Sequence, residues 1–278
     1  MHNSITIGFI GFGEVGQTFA RGLLAKGDLR IVAYDRLFDD PARRAAHRAR
    51  TEAAGAHPVD SAAEAARGAR VVISAVTADQ TEGVAVQAAG FLTPGQYFLD
   101  VNSASPATKS RAAAIVNPGG AHYVEGAVMA AVLGPGLRVP ILAGGPKAEE
   151  AAQLLNELGM NLTAVTTEPG RASAMKLCRS IVMKGLEAIV LDCAAAARRW
   201  GVETEVWNSL GATYPFFDWP QLAEQMDERV TTHGIRRAAE MREAAAMLEQ
   251  LGLAALGARI DFRGIANPVE ALAAFGEH

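Results

Sequence analysis

A glycine-rich motif near the start of the chain constrains the fold more than any other feature. The short apolar run 5–10 is followed at once by Gly11, Gly13 and Gly16 in the spacing G-x-G-x-x-G. Residues 14–25 then repeat apolar side chains at helical spacing, so the motif joins a strand to a helix. In that context it is typical of a dinucleotide-binding βαβ unit, and an ordinary strand–helix turn is the alternative.

Each glycine of this motif has its own physical role. Gly11 permits the tight turn, Gly13 lets a pyrophosphate approach the backbone, and Gly16 lets the helix pack on the strand. The helix N-terminus offers N–H groups and the positive end of the helix dipole to phosphates. The residues that we assign to the cofactor on this basis are Gly11, Phe12, Gly13, Glu14, Val15 and Gly16.

An acidic residue follows the second predicted strand. Asp35 is in the position where a carboxylate accepts hydrogen bonds from the adenosine ribose and repels a 2′-phosphate, which favours NAD. Arg36 comes next and would instead pair with that phosphate, so NADP is an alternative, as is a plain loop carboxylate. We also assign Val76 and Thr77, at the end of a buried apolar run, to the cofactor site.

Strand and helix patterns alternate up to about residue 166. Further strands are predicted at 31–34, 71–76, 97–100, 122–125 and 139–143, and helices at 41–54, 80–89 and 106–116. This alternation predicts an α/β fold, a Rossmann-type doubly wound parallel sheet covered on both faces. From residue 170 onward the pattern is helical, with turn signals that include Gly211 and Gly234. We therefore predict a dinucleotide-binding domain at residues 1–166 and an all-helical domain at residues 167–278.

Composition limits the partners and the compartment. The 278 residues carry 30 acidic and 26 basic side chains, so there is no overall basic field for nucleic acid or an anionic membrane. Two cysteines do not make a disulfide framework, and the N-terminus lacks the pattern of a signal peptide. The apolar runs fall short of the roughly 20 residues of a membrane span. We expect a cytoplasmic protein, and the histidine spacing predicts no metal site.

Three further segments carry ordered motifs. Residues 100–106 read DVNSASP, residues 124–131 read VEGAVMAA with PILAGG behind them, and residues 170–180 contain Gly170 and Lys176. With the glycine loop, these segments resemble the β-hydroxyacid dehydrogenase family, which includes 3-hydroxyisobutyrate and 6-phosphogluconate dehydrogenases. The corresponding family patterns are D-x-S-T-x-x-P, D-A-P-V-S-G-G, L-x-x-x-x-G-G and G-x-G-x-x-x-K-x-x-x-N. The resemblance covers nearly the whole chain, and it is stronger before residue 190 than after it.

This resemblance implies an NAD(P)-dependent oxidoreductase with Lys176 as its general acid and base. Oxidising an alcohol requires removal of its O–H proton while hydride leaves carbon, and the ammonium would return that proton in the reducing direction. The apolar helix around Lys176 and the nearby helix N-terminus are expected to lower its pKa. The alternative is a lysine that extends from a helix face into water. The implied substrate is a hydroxy acid or a related alcohol or aldehyde.

Departures from the family patterns concern substrate recognition. Asn102 replaces the usual serine of D-x-S-T. The resemblance places this position beside the nicotinamide, so we assign Asn102 to the cofactor as well. Methionine and two alanines replace S-G-G. We therefore expect a small, anionic substrate that is bulkier than a simple hydroxy acid or is bound differently. A guanidinium binds carboxylate or phosphate well. For Arg236 and Arg237 the alternative is that they form a solvated basic face of a helix. The candidate substrate-binding residues are Asn102, Ser103, Met129, Ala130, Ala131, Arg179, Ser180, Arg236 and Arg237.

Two other functions and a homodimer complete the expectations. An imine reductase shares this fold but generally has another residue in place of the lysine, and a non-catalytic dinucleotide-binding module is expected to lose it. The aromatic residues of 207–219 favour core or dimer packing over lining a cleft. We expect a homodimer formed largely by the helical domain, with the substrate cleft near Gly13, Asn102, Met129 and Lys176.

Overall fold

The computed structural model describes residues 5–27 and 29–253. They divide into two compact units, one ending at Lys176 and the other beginning at Leu177. The strands are β1 Ile5–Ile10, β2 Leu29–Tyr34, β3 His57–Pro58, β4 Val71–Ser74, β5 Tyr97–Asp100, β6 His122–Val128, β7 Ile141–Gly144 and β8 Leu162–Thr166. The helices are α1 Glu14–Leu24, α2 Arg44–Ala53, α3 Ala62–Ala66, α4 Thr81–Ala89, α5 Pro106–Val116, α6 Ala148–Glu157, α7 Arg171–Trp200, α8 Glu203–Thr213 and α9 Trp219–Gln250.

One sheet organises the first unit. Its strand order is β3-β2-β1-β4-β5-β6-β7-β8, and the strands from β3 to β6 are all parallel. The chain moves outward in one direction from β1 to β3 and in the other from β4 onward. The crevice at the carboxyl ends of β1 and β4 is therefore the topological switch point, where ligands bind in open α/β sheets. The predicted Rossmann-type α/β fold is confirmed.

The parallel sheet that the sequence predicts contains one antiparallel pair. Strand β7 runs antiparallel to β6, and β8 is parallel to β7. The segment between β6 and β7 contains only a 3-10 turn at Gly136–Arg138 and no crossover helix. Without a crossover helix the chain returns along the same edge, which produces an antiparallel pair. Helix α6 supplies the crossover from β7 to β8.

Two apolar layers cover the faces of this sheet. Alternate strand residues point to opposite faces, so Phe9 and Ile73 pack in one core and Ile10 and Val72 in the other. The first core includes large side chains of α1 and α6, such as Phe19. In the second core, α3, α4 and α5 contribute mainly alanines: Ala62, Ala66, Ala85, Ala88, Ala112 and Ala113. Small side chains let these helices lie close to the sheet.

Among the described residues from Leu177 onward, the secondary structure is helical. A core of Val190, Trp219, Ala223 and Met226 packs with Trp207 and neighbouring leucines. The aromatic stretch thus contributes to packing, although Phe216 is 92% exposed.

The turn signals that the sequence places at Gly211 and Gly234 are wrong, because α8 and α9 continue through these glycines. A single glycine inside a helix costs only about 1 kcal/mol relative to alanine, which a long packed helix tolerates. No helix in the described part of the chain is long and apolar enough to cross a membrane.

Candidate functional site

The glycine loop lies at the carboxyl end of β1 and opens α1. Gly11 has φ of +85°, and a Cβ there would lie 2.5 Å from the carbonyl oxygen of Ala75. A Cβ on Gly16 would lie 3.0 Å from the oxygen of Gly11, so packing requires glycine at position 11 and favours it at position 16. Gly13 is different, because nothing lies within 4 Å of its Cβ position and it starts α1 without a side-chain cap. Its exposed backbone fits the approach of a pyrophosphate.

The side chains of the loop divide between core and surface. Phe12 is 3% exposed and packs edge-on against Phe9, with ring centroids 5.5 Å apart. Val15 packs against the same core, and Glu14 is exposed in the first turn of α1. The Phe12 ring is buried in the core, its N–H donates to Asp35 and its carbonyl oxygen accepts from Gln17, so the predicted cofactor contact of Phe12 stays a prediction.

Asp35 ties the glycine loop to the end of β2. One carboxylate oxygen accepts a hydrogen bond from the Phe12 N–H at 2.7 Å, and the other accepts from the Leu37 N–H at 2.9 Å. A carboxylate oxygen has two lone pairs, so these bonds leave acceptor capacity for a ribose hydroxyl. Asp35 thus shapes the loop in addition to the ribose role that the sequence predicts for it.

Arg36 and Thr77 lie near one exposed carboxylate. Hydrogen bonds from the side chains of Thr77 and Gln80 lower the pKa of Asp79, and the charge of Arg36 lowers it further. Arg36 itself is exposed. The two predicted cofactor residues are therefore brought into one neighbourhood, at the end of β4 that borders the switch point.

Asn102 bridges the ends of β4 and β5. Its Oδ1 accepts from the Val76 N–H at 2.6 Å, and its Nδ2 donates to Ser74 Oγ at 3.0 Å. The residue is 4% exposed, and its own N–H donates to Asp100. The structure therefore places Asn102 as a support between two loops, with the Val76 N–H already paired, and its predicted contacts with ligands stay a prediction.

Lys176 and Ser103 meet at the same edge of the sheet. The Lys176 ammonium nitrogen donates to Ser103 Oγ at 2.7 Å, across 73 residues of sequence. Ser103 lies three residues after the end of β5, and Lys176 lies in the second turn of α7. Both side chains are half-buried. An amine held by a hydroxyl and reachable from outside is suited to proton transfer.

A continuous series of contacts links the glycine loop to this lysine. Gly11 lies against Val76, whose N–H binds Asn102, and the next residue, Ser103, binds Lys176. The series crosses the carboxyl ends of β1, β4 and β5, which are adjacent in the sheet. The fold therefore brings together Gly11, Val76, Asn102, Ser103 and Lys176, which are all residues predicted from the sequence.

A buried ionic cluster beneath this edge was missed by sequence reasoning. Asp100 forms an ion pair with Lys109 at 2.8 Å, and both side chains are at most 1% exposed. The Tyr123 hydroxyl donates to the other oxygen of Asp100 at 2.7 Å. Burial, followed by the charge of Asp100, raises the pKa of Tyr123 well above its usual value of 10. The cluster fixes the end of β5, from which Asn102 and Ser103 extend.

Glu125, in the centre of β6, was also missed. It is 0% exposed, and its carboxylate accepts hydrogen bonds from the backbone N–H groups of Gly170 and Ser173. These groups belong to the start of α7, so a strand residue caps the helix that carries Lys176. A charged residue inside an otherwise apolar strand is the signal that was available in the sequence.

The predicted substrate loop follows β6. The Met129 N–H donates to the Pro140 oxygen at 2.9 Å and so continues the β6–β7 pairing. The Met129 and Ala131 side chains are half-buried, and Ala130 is exposed. This loop presents methyl and thioether groups where the family pattern has a hydroxyl and glycines.

The remaining predicted residues lie in the second unit. Arg179 is exposed, whereas Ser180 is 4% exposed and its Oγ accepts from Lys184 Nζ at 3.1 Å. Lys184 also pairs with Glu240 at 2.7 Å. The hydroxyl of Ser180 thus serves packing inside the helical unit. Arg236 and Arg237 belong to α9, but their side chains lie outside the described residues.

Family models match most of the chain. The model described as the NAD binding domain of 6-phosphogluconate dehydrogenase matches residues 6–166, more than half of the chain. The chain belongs to the β-hydroxyacid dehydrogenase family. A second model, a domain of unknown function (DUF1932), matches residues 197–271 of this β-hydroxyacid dehydrogenase homologue. Family membership assigns the chain to the NAD(P)-dependent oxidoreductases, with its dinucleotide site in the first domain.

Solved structures agree with this membership. A conserved hypothetical protein from Sinorhizobium meliloti 1021 is 43% identical, with a TM-score of 0.82 over 95% of this chain and 88% of that one. A conserved protein described as similar to 3-hydroxyacid dehydrogenases is 31% identical, with a TM-score of 0.73 over 88% and 90%. The 3-hydroxyisobutyrate dehydrogenase of Mycobacterium tuberculosis, solved with L-serine, is 20% identical and shares the fold, with a TM-score of 0.64 over 75% and 70%.

Proposed function

We propose that this protein transfers a hydride between a nicotinamide cofactor and a small hydroxy acid, or a related alcohol or aldehyde, with Lys176 as general acid and base. The observation that carries the proposal is the 2.7 Å hydrogen bond from Lys176 to Ser103. It holds an amine on the same sheet edge as the glycine loop. Family membership supports the class of oxidoreductase, and the position of Lys176 beside Ser103 supports its role in proton transfer.

The residues of the first unit fit a dinucleotide. The open backbone at Gly13 and the uncapped start of α1 would hold the pyrophosphate, and Asp35 would accept from the adenosine ribose. When bound, the nicotinamide supplies or accepts the hydride. The carboxyl ends of β1, β4 and β5 would border it, which matches the binding position in open α/β sheets.

Lys176 would manage the proton that accompanies the hydride. In the oxidising direction its neutral amine takes the hydroxyl proton of the substrate, and in the reducing direction its ammonium returns a proton to the new alkoxide. Ser103 accepts one N–H of the lysine and so limits the rotamers of its long side chain. The same hydrogen bond fixes the direction in which the other N–H bonds of the Lys176 ammonium, or the lone pair of its neutral amine, point.

We propose NAD as the preferred cofactor. Asp35 presents a carboxylate where the 2′-phosphate of NADP would lie, and the two would repel each other. Arg36 is exposed, and its charge contributes to lowering the pKa of Asp79, so its guanidinium is the candidate partner of a 2′-phosphate. Titrating the protein with each cofactor decides the choice. Tighter binding of NADP, lost in an Arg36→Ala variant, would overturn it.

We propose that the substrate is a small anion with apolar substituents. Met129 and Ala130 replace the serine and glycine of the family pattern, so this loop offers the substrate apolar contacts and no hydroxyl. Such contacts suit a substrate with a bulkier apolar group than a simple hydroxy acid carries. Arg179, Arg236 and Arg237 stay the candidate guanidinium ligands, since guanidinium binds carboxylate with two parallel hydrogen bonds.

A homodimer is part of the proposal. Within the second unit, Cys178, Val182 and Ile189 are exposed and share one face of α7 by their spacing. Val182 and Ile189 are 67% and 55% exposed. A row of exposed apolar side chains along a long helix is typical of a subunit interface.

A turnover panel tests the function. The purified protein is assayed with NAD, NADP and their reduced forms against 2- and 3-hydroxy acids, L-serine, aldehydes and cyclic imines. We expect turnover with hydroxy acids or their carbonyl products. Turnover restricted to cyclic imines would favour an imine reductase instead. Tight cofactor binding without any turnover across the panel would favour a non-catalytic dinucleotide-binding module.

A further inference from the structure

The buried carboxylate of Glu125 has no part in the proton chemistry described so far. It lies in the middle of β6, between Val124 and Gly126, and it is 0% exposed. Its two oxygens accept hydrogen bonds from Gly170 and Ser173 at the first turn of α7. A carboxylate at this depth is tolerated because two backbone N–H groups and the positive end of the helix dipole stabilise its charge.

The neighbouring strand makes room for this carboxylate. Gly144 of β7 is paired with Glu125 in the antiparallel ladder. A Cβ at Gly144 would lie 2.9 Å from Glu125 Oε2 and 3.1 Å from the methyl group of Thr166. Any larger residue would therefore push the carboxylate away from α7. The absence of a side chain at Gly144 is part of the same arrangement.

A second anchor holds the start of α7 against α5. Gly170 has φ of +97°, and a Cβ there would lie 2.7 Å from both the Pro106 oxygen and Ser110 Oγ. Ser110 Oγ donates to the Pro169 oxygen at 2.9 Å. Helix α5 begins three residues after Ser103, so this anchor and Glu125 fix α7 relative to the segment that carries Ser103.

We propose that Glu125 is a positioning residue for Lys176, which sets the lysine against Ser103 by clamping the first turn of α7 to the sheet. Ordinary helix caps come from the residue that directly precedes the helix. Glu125 instead precedes its partners by 45 and 48 residues. Its hydrogen bonds therefore cap the N-terminus of α7 and also attach that terminus to strand β6. Lys176 follows Ser173 by about one helical turn, so the position of the first turn determines where the Lys176 side chain starts. The proposal rests on the proposed function of Lys176.

The test compares Glu125→Gln with a matched cap variant. Glutamine keeps the shape of the side chain but replaces one acceptor oxygen with an NH₂ donor that faces a backbone N–H. The control is Asp218→Asn, which weakens the bond from the Gln221 N–H to Asp218 Oδ1 at the start of α9. In both proteins, free of cofactor, an amine-reactive reagent labels the lysines, and peptide mass spectrometry compares Lys176 with Lys147.

We expect Lys176 labelling to rise about threefold or more in Glu125→Gln, because the local clamp opens more often, with Lys147 unchanged. With a substrate from the turnover panel, kcat should fall about tenfold or more, since small misplacements of a catalytic group are costly. KM and the cofactor Kd should stay within about threefold, because the cofactor loop lies on other elements. Asp218→Asn should change none of these.

Unchanged Lys176 labelling together with unchanged kcat would overturn the proposal and leave Glu125 as a helix cap only. If the glutamine variant does not fold, Glu125→Asp, which keeps the charge on a shorter side chain, replaces it with the same expected direction. Absence of turnover in the unmodified protein would contradict the proposed function, whereas the labelling comparison would still decide whether Glu125 positions Lys176.

Discussion

The ion pair of Asp100 and Lys109 is the clearest energetic element at the scale of single residues. Because both side chains are buried, removing one partner leaves an uncompensated charge. We expect Lys109→Met to lower the free energy of unfolding by about 3–5 kcal/mol. The matched control is Arg111→Met in the same helix, since its pair with Glu82 is half-exposed and worth at most about 1 kcal/mol. Urea unfolding measures both, and equal losses would contradict the assignment.

Tyr123 makes a prediction about alkaline stability. Its pKa is raised in the folded protein by burial, then by Asp100, so folding favours the protonated phenol. This stabilisation is complete below the unfolded pKa of about 10 and is lost as the pH rises above it, by about 1.4 kcal/mol per pH unit. The difference in unfolding free energy between the unmodified protein and Tyr123→Phe should therefore shrink at that rate above pH 10. A constant difference would show that the phenol ionises normally.

The two residues that hold the site in place could not be assigned from sequence. Glu125 is recognisable as a charge within a largely apolar strand, whereas Lys109 lies among polar residues of α5. The roles of both depend on partners that only the fold brings near. Lys176 could be selected because a family motif surrounds it. A reacting group such as Lys176 stands in a recognisable motif, whereas the roles of the buried Glu125 and Lys109 depend on their packing partners in the folded chain.

At the scale of elements, the glycine loop separates packing from binding. Gly11→Ala should lower the free energy of unfolding by at least about 2 kcal/mol, because a positive φ and the contact with Ala75 both oppose a Cβ. Gly13→Ala should cost about 1 kcal/mol or less but weaken dinucleotide binding about tenfold, since its methyl group lies in the path of the pyrophosphate. Thermal unfolding and cofactor titration measure the two effects. Unchanged cofactor affinity in Gly13→Ala would contradict the assigned loop.

Elements were predicted best where their patterns are complete. The bounds of β1, β5 and α5 agree with the sequence prediction to the residue. Strands β3 and β8 and helices α3 and α6 were not predicted from the sequence. Strand β3 has only two residues, and both β3 and β8 lie at the ends of the sheet, so neither is buried on both faces like the central strands. Strand direction at β7 depended on the missing crossover helix, which periodicity does not reveal.

At the scale of the whole molecule, the proposed homodimer is testable by mass. Light scattering should give about twice the 29.2 kDa of one chain. The double variant Val182→Glu with Ile189→Glu should give the mass of one chain, because four charges would face each other across a two-fold interface. Leu133→Glu, at a site that is also exposed, is the control and should leave the mass unchanged. A monomeric unmodified protein would contradict the homodimer.

The most direct test of the central claim is the turnover of Lys176→Met, measured beside cofactor binding. Methionine keeps much of the apolar stem and removes the amine. Loss of a general acid and base should lower kcat about 10²–10⁴-fold, while the cofactor Kd stays within about twofold because the glycine loop is untouched. Turnover in Lys176→Met close to that of the unmodified protein would contradict the account.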